Sequence, residues 1–256
     1  MKIADITRCI EHIAPLNIQE NYDNSGLLIG HMDNEVHKVL LCVDVTEEIL
    51  QEAVAEQCDL IISHHPMIFF GVKRIDTNSL IYRAIRSNIA IYAAHTNLDA
   101  ANVGVSTILG EKLGLHNLRT LHRNSVDECF GLGAIGDFAT PLKEVDFLDL
   151  VKNVCKIPMV RHSVLRGKSI KTVALCGGAG GELLAEAIAL HADAFITADL
   201  KYHEFSPTNT PILLVDAGHF ETEQFTVDIL YSEICKNFPT FAVLKTKTKN
   251  NFVNYQ

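Results

Sequence analysis

Two adjacent histidines, His64 and His65, precede a proline at the end of an apolar run in "CDLIISHHPMIFF" (residues 58–70). Imidazole changes charge near neutral pH and is the commonest metal ligand, so a pair closing a buried strand points to proton transfer or metal binding. Adjacent histidines also occur in solvated loops, and the pair alone does not decide. Three further apolar runs end in the same chemistry. "NIAIYAAHTNLDAA" ends in His95 and Asp99, "AFITADLKYHEF" in Asp199, His203 and Glu204, and "PILLVDAGHFETEQF" in Asp216, His219, Glu221 and Glu223.

Two of these stretches share a spacing. "HTNLD" and "HFETE" both read His-x-x-x-acid, His95 to Asp99 and His219 to Glu223. At a helix start a spacing of four puts both side chains on one face, so that one metal is within reach of each half of the chain. The structural alternative makes Asp99 and Glu223 first-turn acids favoured by the helix dipole, with the histidines as caps. The recurrence of the pattern, together with His-His-Pro, favours metal binding. The set contains no cysteine, and nitrogen plus carboxylate donors suit iron, manganese, zinc or nickel better than a structural zinc site.

The elements that must position these residues are legible as a repeat. At an offset of 134, "VLLCVDVTEEILQEAVAEQCDLIIS" (39–63) matches "VALCGGAGGELLAEAIALHADAFIT" (173–197) at ten of twenty-five positions. Each copy opens with an apolar strand, Val39 to Val43 and Val173 to Cys176. A helix follows, with its apolar stripe at Ile49, Leu50, Ala53 and Val54 and again at Leu183, Leu184, Ala187 and Ile188. Each copy closes on a second strand, Leu60 to Ile62 and Ala194 to Ile196. Strand–helix–strand units build parallel sheets whose ligands gather at the carboxyl ends of the strands. The expected fold class is therefore α/β: two related α/β domains from an internal duplication, residues 1–122 and 123–256, with the metal site between them at the carboxyl ends of strands.

Composition sets the frame. The 256 residues are 48% apolar, enough for a packed core, and the formal charge of −9 has no basic block, which argues against a nucleic-acid groove. The seven cysteines lack CxxC spacing and sit mostly in apolar patterns, so they read as reduced core residues of a cytoplasmic protein. "MKIADITRCIEHIAPLN" has amphipathic helical spacing rather than an apolar signal core. No apolar run approaches the roughly 18 residues of a membrane span.

The sequence resembles the GTP cyclohydrolase I type 2 family, also called the Ngg-interacting-factor-like family, over essentially the whole chain. The carrying stretches are "YDNSGLLIG" (22–30), "DLIISHHPMIF" (59–69), "AAHTNLDAA" (93–101), "GLGAIGDF" (131–138), "CGGAGGELLAEAIALHADAFITADLKYHE" (176–204) and "DAGHFETE" (216–223). The resemblance implies a dinuclear centre of two divalent ions per chain, and a ring-shaped homohexamer. It carries the metal ligands onto His64, His65, Asp99, His219 and Glu223, with Glu223 as the bridging carboxylate. It implies a metal-dependent hydrolase that opens the imidazole ring of GTP and releases formate. Position in the chain, not the resemblance, makes His95, beside Asp99, a candidate catalytic proton-transfer group, and His203 with Lys201 in "DLKYHE" candidates either for the same role or for binding an anionic substrate. A non-catalytic metal carrier or a ring scaffold is the alternative. A ring encircling DNA is disfavoured by the acidic charge.

The chain departs from the family at "DAANVG", where Asn102 and Val103 replace the more usual Pro-Gly, and it lacks the long insertion that some relatives carry. "CGGAGGELL" completes neither GxGxxG nor GxxxxGK[ST], so its glycines are expected to allow close packing of the two halves. "YDNSGLLIG" reads as a turn, with Asp23, Asn24 and Gly26 tolerating left-handed geometry.

Overall fold

The computed structural model describes residues 1–124, 127, 129–208 and 210–256. Two compact units emerge, one from Met1–Leu98 with Thr226–Asn254, the other from Asp99–Phe225 with Tyr255–Gln256.

The first unit opens with α1 (Ile3–Ile13), the amphipathic helix expected at the N-terminus, which buries Ile3, Ile6, Cys9 and Ile10. Next come β1 (Gly26–Ile29), β2 (Lys38–Cys42), α2 (Glu47–Ala55), β3 (Leu60–Ser63), α3 (Leu80–Arg86), β4 (Ala90–Ala93) and the single turn α4 (Thr96–Asp99). The second unit contains α5 (Val105–Leu113), β5 (His116–Arg123), β6 (Gly131–Lys143), α6 (Glu144–Cys155), β7 (Arg161–His162), β8 (Ser169–Ala179), α7 (Leu184–Ala189), β9 (Ala194–Ala198), β10 (Leu213–Asp216) and α8 (His219–Glu223). The chain then returns to the first unit with α9 (Thr226–Asn237) and β11 (Ala242–Lys245).

The first sheet has the order β1-β4-β3-β2-β11, parallel except for β1. The second has the order β5-β6-β8-β9-β10-β7; β8, β9 and β10 are parallel and the other pairings antiparallel. Both copies of the duplicated unit are realised, as β2-α2-β3 and β8-α7-β9, each with its strands side by side and parallel. Strands β3, β4, β9 and β10 are buried at every residue, as expected of parallel strands covered on both faces.

Two expectations need correction. The units do not divide at 122/123: β11 pairs with β2 by parallel hydrogen bonds, which takes the C-terminal strand back into the first unit. Val54 leaves the apolar stripe of α2 and is 51% exposed, while Ile49, Leu50 and Ala53 are buried as expected. The helix starts also differ between copies. In the first, the Thr46 hydroxyl accepts a hydrogen bond from Ile49 N at 3.3 Å, a side-chain cap; in the second, glycines lead through a 3₁₀ turn at Gly181–Leu183.

No described helix is long and apolar enough to cross a membrane. Cys9, Cys42, Cys58, Cys155 and Cys176 are buried, as their apolar context implies, and all seven cysteines are thiols. Burial pushes Cys9 and Cys58 up to about 11 and Cys155 up to about 12, which suppresses the reactive thiolate. In native protein at pH 8, Ellman's reagent should titrate exposed Cys129 first and half-buried Cys235 slowly. The five buried thiols should react only on unfolding, and rapid labelling of four or more thiols in native protein would contradict this packing.

Candidate functional site

The histidines singled out in the first unit, His64, His65 and His95, lie just past the carboxyl ends of the parallel strands β3 and β4. Cross-strand register sets Cys42 opposite Ser63 and Ser63 opposite Ala93, so β2, β3 and β4 end level with one another. The residues that follow them, Asp44, His64 with His65, and Ala94 with His95, therefore emerge along one edge. The three imidazoles form a triangle, with ring centroids 4.9 Å apart for His64–His65 and 5.4 Å for each of the other pairs. His64 is fully buried.

Each ring is held through the same nitrogen. His64 Nδ1 donates to the carbonyl of Ala94 at 2.8 Å, His65 Nδ1 to Asp44 Oδ1 at 2.7 Å, and His95 Nδ1 to Asp23 Oδ1 at 2.7 Å. Carbonyl and carboxylate oxygens only accept, so the proton of the neutral ring stays on Nδ1 and the lone pair is on Nε2. A metal-ligating or proton-accepting histidine needs that tautomer. His122 and His162 make similar Nδ1 bonds at more exposed positions, to Glu186 and to Ser163 O; burial at the strand ends is what distinguishes the three.

Asp23 belongs to this edge, although the sequence reads it as a turn residue. Its side chain is fully buried. It accepts from His95, from the Ser25 hydroxyl, and from both the backbone N–H and the hydroxyl of Thr96. Burial pushes its carboxyl up, but the hydrogen bonds from His95 and Thr96 outweigh burial and hold it well below the usual carboxylate range. Neither Asp23 nor Asn24 takes the left-handed backbone expected of them; in this turn only Gly26 has positive φ, +114°.

In the second unit the strand ends present a different set. His219 opens α8, where its Nδ1 donates to Asp199 Oδ2 at 2.7 Å and its Nε2 lies 3.1 Å from Glu223 Oε2, one turn along the helix. The predicted shared face of the His-x-x-x-acid pair is thus realised. For this pair the capping alternative is not, since the cap position is Gly218 and carries no side-chain cap bond; in the first copy His95 directly precedes α4 and Asp99 lies in its first turn. Burial lowers the affinity of His219 for a proton, yet its hydrogen bond and charge interaction with Glu223, followed by those with Asp199, raise its pKa to about 9. Asp199 holds its position with φ of +56°, a conformation that aspartate tolerates better than most residues. Asp99 is half-buried, and with Glu182 and Glu223 it adds to burial in pushing the Cys176 thiol far up.

The glycine-rich turn explains how Glu223 is accommodated. A Cβ at Gly178 would lie 2.0 Å from Glu223 Oε1 and 3.3 Å from His219 Nε2, and Gly178 has φ of +64°. A Cβ at Gly177 would meet Val105 at 2.5 Å. The close packing expected between the two halves is seen here within the second unit instead, around the carboxylate itself. His203 sits elsewhere, exposed in a cleft with Arg161, His162, Tyr202 and Phe205.

The donor chemistry fits divalent cations. His64 and His65 offer neutral Nε2 lone pairs with orienting partners, and His219 with Glu223 concentrates a nitrogen and a buried carboxylate that attract positive charge. Sequence reasoning missed Asp23, Asp44 and Gly178. Asp44 was findable, since it follows a strand of the same parallel set; Asp23 comes from a turn distant in sequence and gave no such signal.

Fold and donors together define a two-unit α/β protein with histidines and carboxylates at its strand ends. The model for Duf34/NIF3 (NGG1p interacting factor 3) matches residues 1–251, and the chain belongs to that family. A Clostridium perfringens protein named GTP cyclohydrolase 1 type 2 homolog is 33% identical over 228 residues, covering 87% of each chain. A protein of the same name from Campylobacter jejuni is 33% identical over 260 residues, covering 98% of this chain and 99% of its own. The crystal structure of a hypothetical protein from Staphylococcus aureus superposes with a TM-score of 0.92 at 28% identity, covering 100% of this chain and 99% of that one.

Replacing Asp23 by asparagine should leave the fold intact and cost about 1–3 kcal/mol, the scale for disrupting a buried, charge-assisted hydrogen-bond cluster. Its folded pKa is depressed, so the contribution is fully present above the ordinary carboxylate value and fades as pH falls through the lower folded one. Urea unfolding should therefore show a constant wild-type advantage from pH 5 to 8 that shrinks only in stronger acid.

Proposed function

We propose that this chain is a divalent-metal protein working as a hydrolase, with His64, His65, Asp99, His219 and Glu223 as donors for two ions drawn from iron, manganese, zinc or nickel. The observation that carries this reading is the common Nδ1 anchoring of His64, His65 and His219, which fixes three imidazoles for coordination through Nε2. Divalent ions bound there supply Lewis acidity and make water a competent nucleophile near neutral pH. The name carried by the relatives supports ring opening of GTP with formate release as the reaction.

The chain's own residues would do the rest. Asp44 and Asp199 keep His65 and His219 in orientation, so the ligands do not rotate when charge changes nearby. Asp23 does the same for His95, whose Nε2 then accepts a proton from the attacking water and returns it to the leaving group, while the buried Asp23 carboxylate stabilises the imidazolium. His203 is better read as outside this machinery, because it lines a different cleft.

Elemental analysis after exhaustive dialysis should give more than one equivalent of metal per chain. Glu223→Gln should reduce that content, since it replaces an anionic donor by a neutral one. His95→Ala should retain the metal and slow formate release from GTP by roughly 10²-fold or more, the usual scale for a positioned proton-transfer group. Metal retained by wild type with no turnover of GTP, phosphate esters or cyclic amides would leave a carrier. A chain that takes up no manganese, iron or zinc would overturn the reading altogether.

The proposal extends to assembly as a ring-shaped homohexamer. Light scattering at micromolar concentration should return six times the 28.3 kDa chain mass. A strictly monomeric mass would remove this part.

A further inference from the structure

The cleft that contains His203 has a composition unlike the rest of this acidic chain. Arg161 and His162 come from β7, and Tyr202, His203, Phe205, Ser206 and Pro207 from the turn after β9; together they line a cavity of about 420 Å³. Lys201 is exposed at the start of the same turn. Two aromatic rings, Tyr202 and Phe205, and four basic side chains are thus concentrated in two short segments of a protein with a net charge of −9.

The acids close by are already engaged. Asp216 is buried and accepts from Arg161 Nη2 and from the N–H groups of Leu200 and Gly218. Glu204 is turned back onto the Lys201 N–H. Arg161 uses only Nη2 within the protein, for Asp216 and for Leu200 O at 3.0 Å; among the described residues its Nε and Nη1 donors are not used. Its guanidinium lies over the Phe205 ring, 5.5 Å from the centroid, which holds the plane in place. Tyr202 is 84% exposed, and its ring meets the His203 imidazole edge to face at 5.2 Å. An exposed tyrosine supported by an imidazole is a stacking surface for a base, and a guanidinium with unused N–H donors holds phosphate through charge-assisted hydrogen bonds.

We infer that this cleft binds a mononucleotide, its base stacked on Tyr202 and its phosphate held by Arg161, His162 and Lys201. The cavity is large enough for a nucleoside monophosphate, since small-molecule sites start near about 300 Å³. The site is independent of the metal reading, because none of its lining residues is a proposed metal donor.

The chain contains no tryptophan, so Tyr202→Trp creates a single reporter on the stacking surface. In metal-free protein with chelator present, GMP or AMP should quench that fluorescence saturably. Guanosine should bind roughly tenfold more weakly, and inorganic phosphate should compete without quenching. Arg161→Lys keeps a charge for Asp216 but loses the guanidinium's Nε and Nη1 donors, and should weaken GMP roughly tenfold while leaving guanosine unchanged. Equilibrium dialysis on wild type should find one GMP per chain. Tyr202→Ala, at an exposed position that cannot disturb the core, should lower that affinity, whereas His219→Ala should leave it within about twofold. The inference is overturned by no saturable GMP binding to wild type below about 5 mM. Equal affinity for guanosine and GMP, loss of binding in His219→Ala, or tighter binding of a short RNA oligomer than of GMP would overturn it equally.

Discussion

The structure turns on how a buried imidazole is made to present one particular nitrogen. Neutral histidine has two tautomers of similar energy in water, and a ring free to flip exposes either face. At the strand ends this freedom is removed by an acceptor at Nδ1: Ala94 O for His64, Asp44 for His65, Asp23 for His95 and Asp199 for His219. A hydrogen bond to a charged acceptor is worth about 1.5–3 kcal/mol. That exceeds the roughly 1 kcal/mol of rotamer freedom lost in fixing the ring, so orientation is favourable even before a ligand arrives.

The acceptors themselves have to be held, and this explains features that otherwise look costly. A buried carboxylate such as Asp23 carries a desolvation penalty of several kcal/mol, offset here by four hydrogen-bond donors from His95, Ser25 and Thr96. Asp199 sits in left-handed backbone, a strain of about 1–2 kcal/mol, and in that conformation its carboxylate meets His219. Gly178 also has positive φ, and its missing side chain is the space that Glu223 fills. At Asp23, Asp199 and Gly178 the burial or backbone strain therefore coincides with the groups that hold the donors.

The duplication has diverged along the same line. Both copies keep the strand–helix–strand unit and the aspartate before the second strand, Asp59 and Asp193. Asp59 accepts the backbone N–H of His37 and Lys38, and Asp193 those of Lys171 and Thr172, so each ties the starts of its two strands together. At the opposite ends the copies part. The first unit places three histidines there and starts its helix with a threonine cap; the second places carboxylates and one histidine there and uses glycines, because a side chain at Gly178 would collide with Glu223. The shared framework is a matter of backbone pairing and the differences are a matter of donors.

Local signals settled a good part of this in advance. Apolar runs marked β2, β3, β9 and β10; the repeat marked two parallel units; and the four-residue spacing of His219 and Glu223 put both on one helical face. These depend on neighbours in the chain, which periodicity reports directly. What periodicity cannot report is pairing across long separations. The return of β11 to β2, the Asp23 carboxylate reaching His95 72 residues away, and the removal of His203 to a cleft with Arg161 were decided only by folding. Val54 was misplaced for the same reason, because a stripe on a helix shows which side can be buried and not how far the partner surface extends. The sequence alone therefore determined the strand units and most of the donor residues; which acceptor orients each donor was left to the tertiary structure, because a hydrogen bond depends on distance in space and leaves no period in the chain.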